Sequence, residues 1–227
     1  LNAISEKSRV VTFYGQSIRT FADCCTEPGK AAEETEDTEE YASETSFHQV
    51  QLYNLRVFRN RLVEGDCSYE AARPWKVLHG GKAKGRLTGG YLVNYTLIQN
   101  TPWFCCENWK ETEKPILFLE DHEKFNEPAA VSRYLSCLEQ AGVFEKVSGL
   151  IFGHYSENAA FFYEETDKNK DEIVDEVLFR IGEKHRIPVV RTDDFGHGEY
   201  NQILPIGGRA ALDADEGTFF LYESGVL

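Results

Sequence analysis

The hydrophobic pattern alternates between short apolar runs and amphipathic stretches over the last half of the chain. Pro115–Leu119 is a continuous apolar run, which is typical of a strand that is buried on both faces of a sheet. Val147–Phe152, closed by Gly153, predicts a second buried strand. Between them, apolar residues recur at i, i+3, i+4 and i+7 from Val131, with Pro128 in the first turn and Gly142 after the last one. This spacing predicts a helix between two strands.

The same alternation continues towards the C-terminus. Asp171–Lys184 has one apolar face, and Ile187–Val190 is a third short apolar run. Strands that alternate with helices predict a parallel sheet with crossover helices. Arg209–Tyr222 predicts a β-hairpin that turns at Ala214–Gly217. The predicted fold class is therefore α/β, with a mostly parallel sheet in the C-terminal domain.

The first part of the chain is less regular. Val10–Tyr14, closed by Gly15, predicts a buried strand. Thr26–Thr45 is rich in Glu, Thr and Ala, which predicts a solvated helix or a mobile loop. Phe47–Phe58 has mixed apolar positions and fits either a helix or a strand. We place a linker at residues 65–74, where periodicity is lost.

A glycine-rich stretch follows the predicted linker. His79–Gly90 is interpreted as a loop whose glycines permit tight turns and close backbone approach. It is not a phosphate-binding P-loop, because Arg86 and Leu87 stand where that motif has Lys and Ser or Thr. The apolar stretch Tyr91–Gln99 predicts a helix.

Composition and charge narrow the classes of function. The 227 residues have a formal net charge of −14, which disfavours a nucleic-acid partner. No apolar run approaches the roughly 18 residues that a membrane span requires. Six cysteines, two pairs of which are adjacent, are more typical of reduced thiols than of a disulfide framework. We therefore predict a cytoplasmic protein that binds neither nucleic acid nor a membrane.

Polar residues follow each of the three predicted strands, at the edge where sites form in α/β sheets. Glu120 comes directly after the first strand, and His197 lies between two glycines after the third. A carboxylate behind a histidine fixes its tautomer and stabilises the imidazolium, so the two residues could form an acid–base pair. Taken singly, His197 fits a surface turn and Glu120 fits a helix cap.

A metal site is the competing interpretation of the same polar residues. Its candidate ligands are His122, His154, His185, His197, Asp193 and Asp194. No His-x-x-x-His or His-Glu-x-x-His spacing occurs in the chain. We therefore expect no metal and no cofactor.

Five stretches in order resemble the LD-carboxypeptidase family of serine peptidases, including its microcin C self-immunity branch. They are LNAISEKSRVVTFYGQS, PWKVLHGGKAKGRLTGGYL, PILFLED, RYLSCLEQAGVFEKVSGLIFGHY and DDFGHGEYNQILPIGGRAALDA. The resemblance implies a Ser-His-Glu triad in which Glu120 and His197 are the catalytic carboxylate and imidazole. The family's nucleophilic Ser lies in a Gly-x-Ser-Asp-like turn, and no such motif occurs in this chain.

The resemblance also implies a domain organisation and a substrate class. Residues 1–64 would be the remnant of a Rossmann-like N-terminal domain that is truncated before the nucleophile, and residues 75–227 the C-terminal domain. The substrates would be peptide-like amides: the LD bond of murein tetrapeptide or an amide to a nucleotide-like group. A homodimer is implied as well.

An inactive relic or interaction module of the same fold is the alternative function. Relatives usually have Asn at the position of Tyr91 and Thr at that of Gly198, and both departures lie near the implied site.

Overall fold

The computed structural model describes residues 11–16, 38–156 and 170–226. The α-helices in these ranges are α1 (Thr38–Phe58), α2 (Leu92–Leu97), α3 (Pro128–Gln140) and α4 (Lys170–His185). The strands are β1 (Thr12–Tyr14), β2 (Lys76–His79), β3 (Lys82–Tyr91), β4 (Ile116–Glu120), β5 (Gly149–His154), β6 (Val189–Gly196), β7 (Leu204–Ile206), β8 (Arg209–Asp213) and β9 (Thr218–Leu221). No helix among the described residues is long and apolar enough to span a bilayer.

One seven-stranded sheet organises the C-terminal part, in the order β2-β6-β5-β4-β3-β8-β9. Its four central strands run parallel, while β2, β8 and β9 add antiparallel pairs. The α/β fold class and the parallel centre of the sheet are confirmed. The predicted elements α2, α3, β5, α4 and the β8–β9 hairpin are confirmed within a few residues, while β6 continues six residues beyond the predicted end of its strand.

The glycine-rich stretch before α2 is a strand, so the prediction of a loop there was wrong. In β3, the first five residues pair antiparallel with β8 and the last five pair parallel with β4. The glycines permit close approach: a Cβ on Gly85 would lie 2.3 Å from the Lys114 carbonyl oxygen, and one on Gly89 would lie 1.6 Å from that of Phe118. Glycine is depleted in strands, so the glycine-rich composition of β3 did not predict a strand.

Two apolar clusters cover the two faces of the sheet. Leu117 and Leu119 of β4 pack with the buried residues of α3 and α4. Phe118, which points to the other face, packs with Leu212 and Phe219 of the β8–β9 hairpin. Successive side chains of a strand point to opposite faces, so a strand that is apolar throughout must be covered on both sides. This burial keeps the end of β4 rigid.

The N-terminal elements pack on this unit through a separate pairing. β1 pairs antiparallel with β7, and its residues are only half-buried, so the expected buried strand was wrong in its burial. Phe47–Phe58 belongs to α1, which decides between helix and strand. Residues 26–37 of the predicted solvated segment lie outside the described residues. The Rossmann-like character of residues 1–64 stays a prediction.

The segment predicted as a linker, 65–74, has no helix or strand but is firmly attached. The carboxylate of Asp194, which is completely buried in β6, accepts hydrogen bonds from the Tyr69 hydroxyl at 2.9 Å, the Trp75 Nε1 at 2.7 Å and the Ala72 amide at 2.8 Å. A buried carboxylate requires such donors. The segment is therefore fixed to β6 by the Tyr69 hydroxyl and the Ala72 amide. The domain bounds themselves stay a prediction.

Gly89→Ala should unfold the sheet, because a Cβ at this position would overlap the backbone of β4. We expect a loss of more than about 4 kcal/mol in the free energy of unfolding. Gly217→Ala is the matched control: its φ is +63° but no atom lies within 4 Å of the added Cβ, so it should cost only about 1 kcal/mol. Urea denaturation followed by circular dichroism measures both. Equal losses would contradict the close approach.

Candidate active site

The side chains of Glu120 and His197 meet at the carboxyl edge of the sheet. Glu120 ends β4 and His197 follows the last residue of β6, with β5 between the two strands. His197 Nδ1 lies 2.7 Å from Glu120 Oε2; the Glu120 side chain is 1% exposed and that of His197 is 40% exposed. The structure thus brings the two predicted residues together, with the carboxylate inside and the imidazole at the surface. Their catalytic role stays a prediction.

Gly196 allows this approach. Its φ is +108°, a conformation that side chains other than glycine rarely adopt. A Cβ at this position would lie 3.1 Å from Glu120 Oε2. The backbone therefore turns directly over the carboxylate, which places the next residue, His197, within hydrogen-bonding distance.

The contact determines the charge and the tautomer of the pair. The hydrogen bond that His197 donates to Glu120, reinforced by the charges of Glu120 and Asp121, raises the pKa of His197 above its ordinary 6.5, although partial burial opposes the shift. An ionised carboxylate has only acceptors, so Nδ1 donates and carries the proton. Nε2 of the neutral ring is then left with a lone pair, which can accept a proton from a hydroxyl group.

Tyr14 is a third member of the site that the sequence analysis did not identify as a functional residue. Its hydroxyl donates to Glu120 Oε1 at 2.5 Å, and its ring packs on Phe118. Burial, followed by the charge of Glu120, raises the pKa of Tyr14 well above 10, so the phenol stays a donor. The only sequence signal was the strand that contains it, because the contact depends on the β1–β7 pairing.

Three rings surround the imidazole of His197. The centroids of Tyr91, His122 and Phe125 lie 5.7, 5.6 and 5.3 Å from that of His197. Tyr91, at whose position the resemblance implies Asn, accepts a hydrogen bond at its hydroxyl from Asn126 Nδ2 at 3.1 Å. The Phe125 ring is 64% exposed. The imidazole therefore opens onto a surface with an aromatic border.

The segment that carries the imidazole, Gly196–Gln202, is named the histidine loop. Helix α1 holds it: Asn54 Nδ2 donates to the Glu199 carbonyl at 2.9 Å, and the Asn201 amide donates to Asn54 Oδ1 at 2.9 Å. Asn201 Nδ2 also donates to the Gly198 carbonyl at 3.0 Å. These bonds restrict the loop on the side that faces α1.

The six candidate metal ligands are not assembled at one point. His185 Nε2 bonds Glu139 at 2.8 Å, at the end of α4, and Asp194 accepts the donors of the linker segment. His122, His154 and His197 do lie near one another, with ring centroids 5.6 and 5.9 Å apart. Among the described residues, no group of three or more His, Cys, Asp or Glu side chains has an arrangement that could hold a metal ion.

Sequence comparison assigns this α/β unit and its carboxylate–imidazole pair to a known family. Residues 84–212 match the LD-carboxypeptidase C-terminal domain. This segment includes β4, the histidine loop and both residues of the pair. Since the match covers more than half of the chain, the chain belongs to the LD-carboxypeptidase family.

Individual relatives support the family. A putative carboxypeptidase of Synechocystis sp. is 35% identical over 141 residues, which are 61% of this chain and 42% of that protein. Microcin C7 self-immunity protein MccF of Escherichia coli is 31% identical over 163 residues, 72% of this chain and 41% of that protein. A probable murein peptide carboxypeptidase of Bacillus subtilis is 27% identical over 170 residues, which are 74% of this chain and 49% of that protein. The chain spans less than half the length of these three proteins.

Solved structures share the fold. MccF in complex with glutamyl sulfamoyl guanosine has a TM-score of 0.64 at 22% identity, over 100% of this chain and 65% of that chain. Muramoyltetrapeptide carboxypeptidase from Oxalobacter formigenes has a TM-score of 0.55 at 23% identity, over 97% of this chain and 64% of that chain. At these identities the likeness is one of architecture.

Glu120→Gln should lower the pKa of His197 towards 6.5, because the amide has no charge to stabilise the imidazolium. In the unchanged protein the folded-state pKa lies above the unfolded value, so the pair stabilises the fold fully below about pH 6.5 and loses this contribution as the pH rises through the raised pKa. NMR titration of the imidazole measures the shift. Glu64→Gln, which removes an exposed carboxylate paired with Arg59, is the control. A His197 pKa at or below 6.5 in the unchanged protein would contradict the pairing.

Proposed function

We propose that this chain provides the general base and the orienting carboxylate of a serine-type carboxypeptidase or amidohydrolase that cleaves peptide-like amides. The observation that supports it most directly is the 2.7 Å contact between His197 Nδ1 and the buried Glu120 carboxylate, with the imidazole half exposed. Membership of the LD-carboxypeptidase family supports the reaction class.

In the proposed mechanism, a serine hydroxyl attacks the amide carbonyl while His197 Nε2 accepts its proton. Glu120 stabilises the imidazolium that results, and the imidazolium then passes the proton to the leaving amine. Water, activated by the same imidazole, hydrolyses the acyl ester and regenerates the serine. Tyr14 holds Oε1 of Glu120, so that Oε2 keeps one fixed orientation towards His197.

The nucleophilic serine is proposed to lie outside this chain. No Gly-x-Ser-Asp sequence occurs in it. Within the part of the chain that the structure describes, the bond found for the His197 ring is the one with Glu120. A base without a nucleophile gives no covalent catalysis, so we expect the 227-residue chain alone not to cleave amides.

The proposed substrates are small and peptide-like. One relative is named as a probable murein peptide carboxypeptidase, and a solved structure of MccF holds glutamyl sulfamoyl guanosine. We therefore consider the LD bond of murein tetrapeptide and an amide that joins an amino acid to a nucleotide-like group. A homodimer stays a prediction from the resemblance, and a cytoplasmic location stays a prediction from the composition.

A binding module without catalysis is the second candidate. Two residues next to the imidazole support it. The ring of Tyr91 lies against that of His197, and Gly198, where the resemblance implies Thr, directly follows His197. Such a module would bind the same ligands and leave them intact.

Hydrolysis of LD murein tetrapeptide and of glutamyl sulfamoyl guanosine, followed by mass spectrometry, tests the proposal. The assay compares two proteins: the 227-residue chain, and the longer protein that is encoded by the complete reading frame containing it. We expect hydrolysis only with the longer protein, reduced roughly 10³-fold or more by His197→Ala. His48→Ala, at an exposed histidine of α1, is the matched control.

Three outcomes would be decisive against parts of this proposal. Binding of either ligand without hydrolysis by the longer protein would favour the binding module. Hydrolysis that His197→Ala leaves unchanged would overturn the proposed base. Hydrolysis by the 227-residue chain alone, abolished by His197→Ala, would support the base and refute the external nucleophile.

A further inference from the structure

A second imidazole–carboxylate pair lies directly beneath the histidine loop. His154 ends β5, and its Nδ1 lies 3.0 Å from Oδ1 of Asp193 in β6. The hydrogen bond from His154 lowers the pKa of Asp193, so the carboxylate is ionised and the imidazole Nδ1 is the donor. The His154 side chain is only 13% exposed. This pair has no part in the mechanism described above.

The ring of His154 occupies the space in which a side chain at position 198 would lie. A Cβ added to Gly198 would be 2.7 Å from His154 Cγ and 3.0 Å from its Nδ1. The φ of Gly198 is not among the positive values found in the described residues, so its backbone conformation would accept other residues. Glycine is therefore required at this position by the His154 ring and not by backbone geometry.

The backbone of His154 contacts the other end of the same turn. His154 pairs with Gly196 after a register shift between β5 and β6. A Cβ on Gly196 would lie 3.3 Å from the His154 carbonyl oxygen as well as 3.1 Å from Glu120 Oε2. Both residues that flank His197 thus rest on His154, and one of them also touches the carboxylate that His197 bonds.

The ring has little freedom to withdraw from this position. Asp193 holds Nδ1, and Arg73 in turn lies 3.5 Å from Oδ2 of Asp193. On the far side, the ring of His122 lies with its centroid 5.9 Å away. Nε2 of His154 is buried and has no hydrogen-bond partner among the described residues. Packing, oriented by one hydrogen bond, therefore determines where the ring lies.

We propose that His154, oriented by Asp193, is a positioning residue for His197: its ring and backbone support the histidine loop and set the distance between His197 and Glu120. The inference rests on the proposed function, since positioning matters only if that pair acts on a proton. It assigns to His154 and Gly198 a matched fit, in which a large ring on β5 requires the smallest residue on the loop.

NMR titration of His197 in four variants tests this fit without any need for activity. Gly198→Ala should displace the loop and lower the pKa of His197 by about 0.5 units or more, because the Glu120 contact lengthens. Removing the ring as well, in His154→Ala/Gly198→Ala, should restore at least half of that fall. His154→Ala alone should lower the pKa of His197. His154→Asn keeps a donor near the position of Nδ1, so its His197 pKa should stay closer to that of the unchanged protein.

Gly217→Ala, in the distant β8–β9 turn, is the control for a general loss of stability and should leave the His197 titration unchanged. A His197 pKa that is unchanged in both His154→Ala and Gly198→Ala, in proteins with native circular dichroism, would overturn the positioning role. Additive effects in the double variant would overturn the matched fit. Should Gly198→Ala not fold, the comparison of His154→Ala with His154→Asn decides alone. Failure of the proposed function would instead appear as absent hydrolysis with the titrations as expected.

Discussion

The buried carboxylate of Glu120 is the constraint on which the site depends. A charge in the interior is stable only if donors replace the water that it has lost. Two donors reach it from distant parts of the chain: the imidazole of His197, 77 positions away, and the phenol of Tyr14, 106 positions away. Both must be brought to the end of β4, which explains why the parallel strands, the turn at Gly196 and the separate β1–β7 pairing all converge there.

The N-terminal elements are part of this site and not an accessory to it. Tyr14 contacts the carboxylate, and Asn54 of α1 bonds the histidine loop. The segment predicted as a linker is bound to Asp194, only three positions before the imidazole. The predicted boundary between an N-terminal remnant and a C-terminal domain therefore divides the candidate site. Residues from both sides of that boundary contact the Glu120–His197 pair or the loop that carries His197.

Tyr91 and Gly198, the two positions at which the resemblance implies other residues, each have a local partner. Tyr91 is held beside the imidazole by Asn126, and Gly198 leaves room for the ring of His154. Each substitution is thus accommodated by a neighbour and not by a distortion of the pair. The family is shown by the match over residues 84–212.

Local chemistry determined much of the architecture. Apolar runs such as Pro115–Leu119 and the helical period of α3 follow from the need to bury one or both faces. They could be predicted from the sequence, as could the placement of Glu120 and His197 at strand ends. The sequence did not reveal β3, because its glycines serve contacts with a neighbouring backbone and not a strand propensity. Nor could it reveal Tyr14, Asn54 or the fit of His154 to Gly198. Those contacts join residues that are far apart along the chain, and only the packing of the sheet edge decides which of them meet.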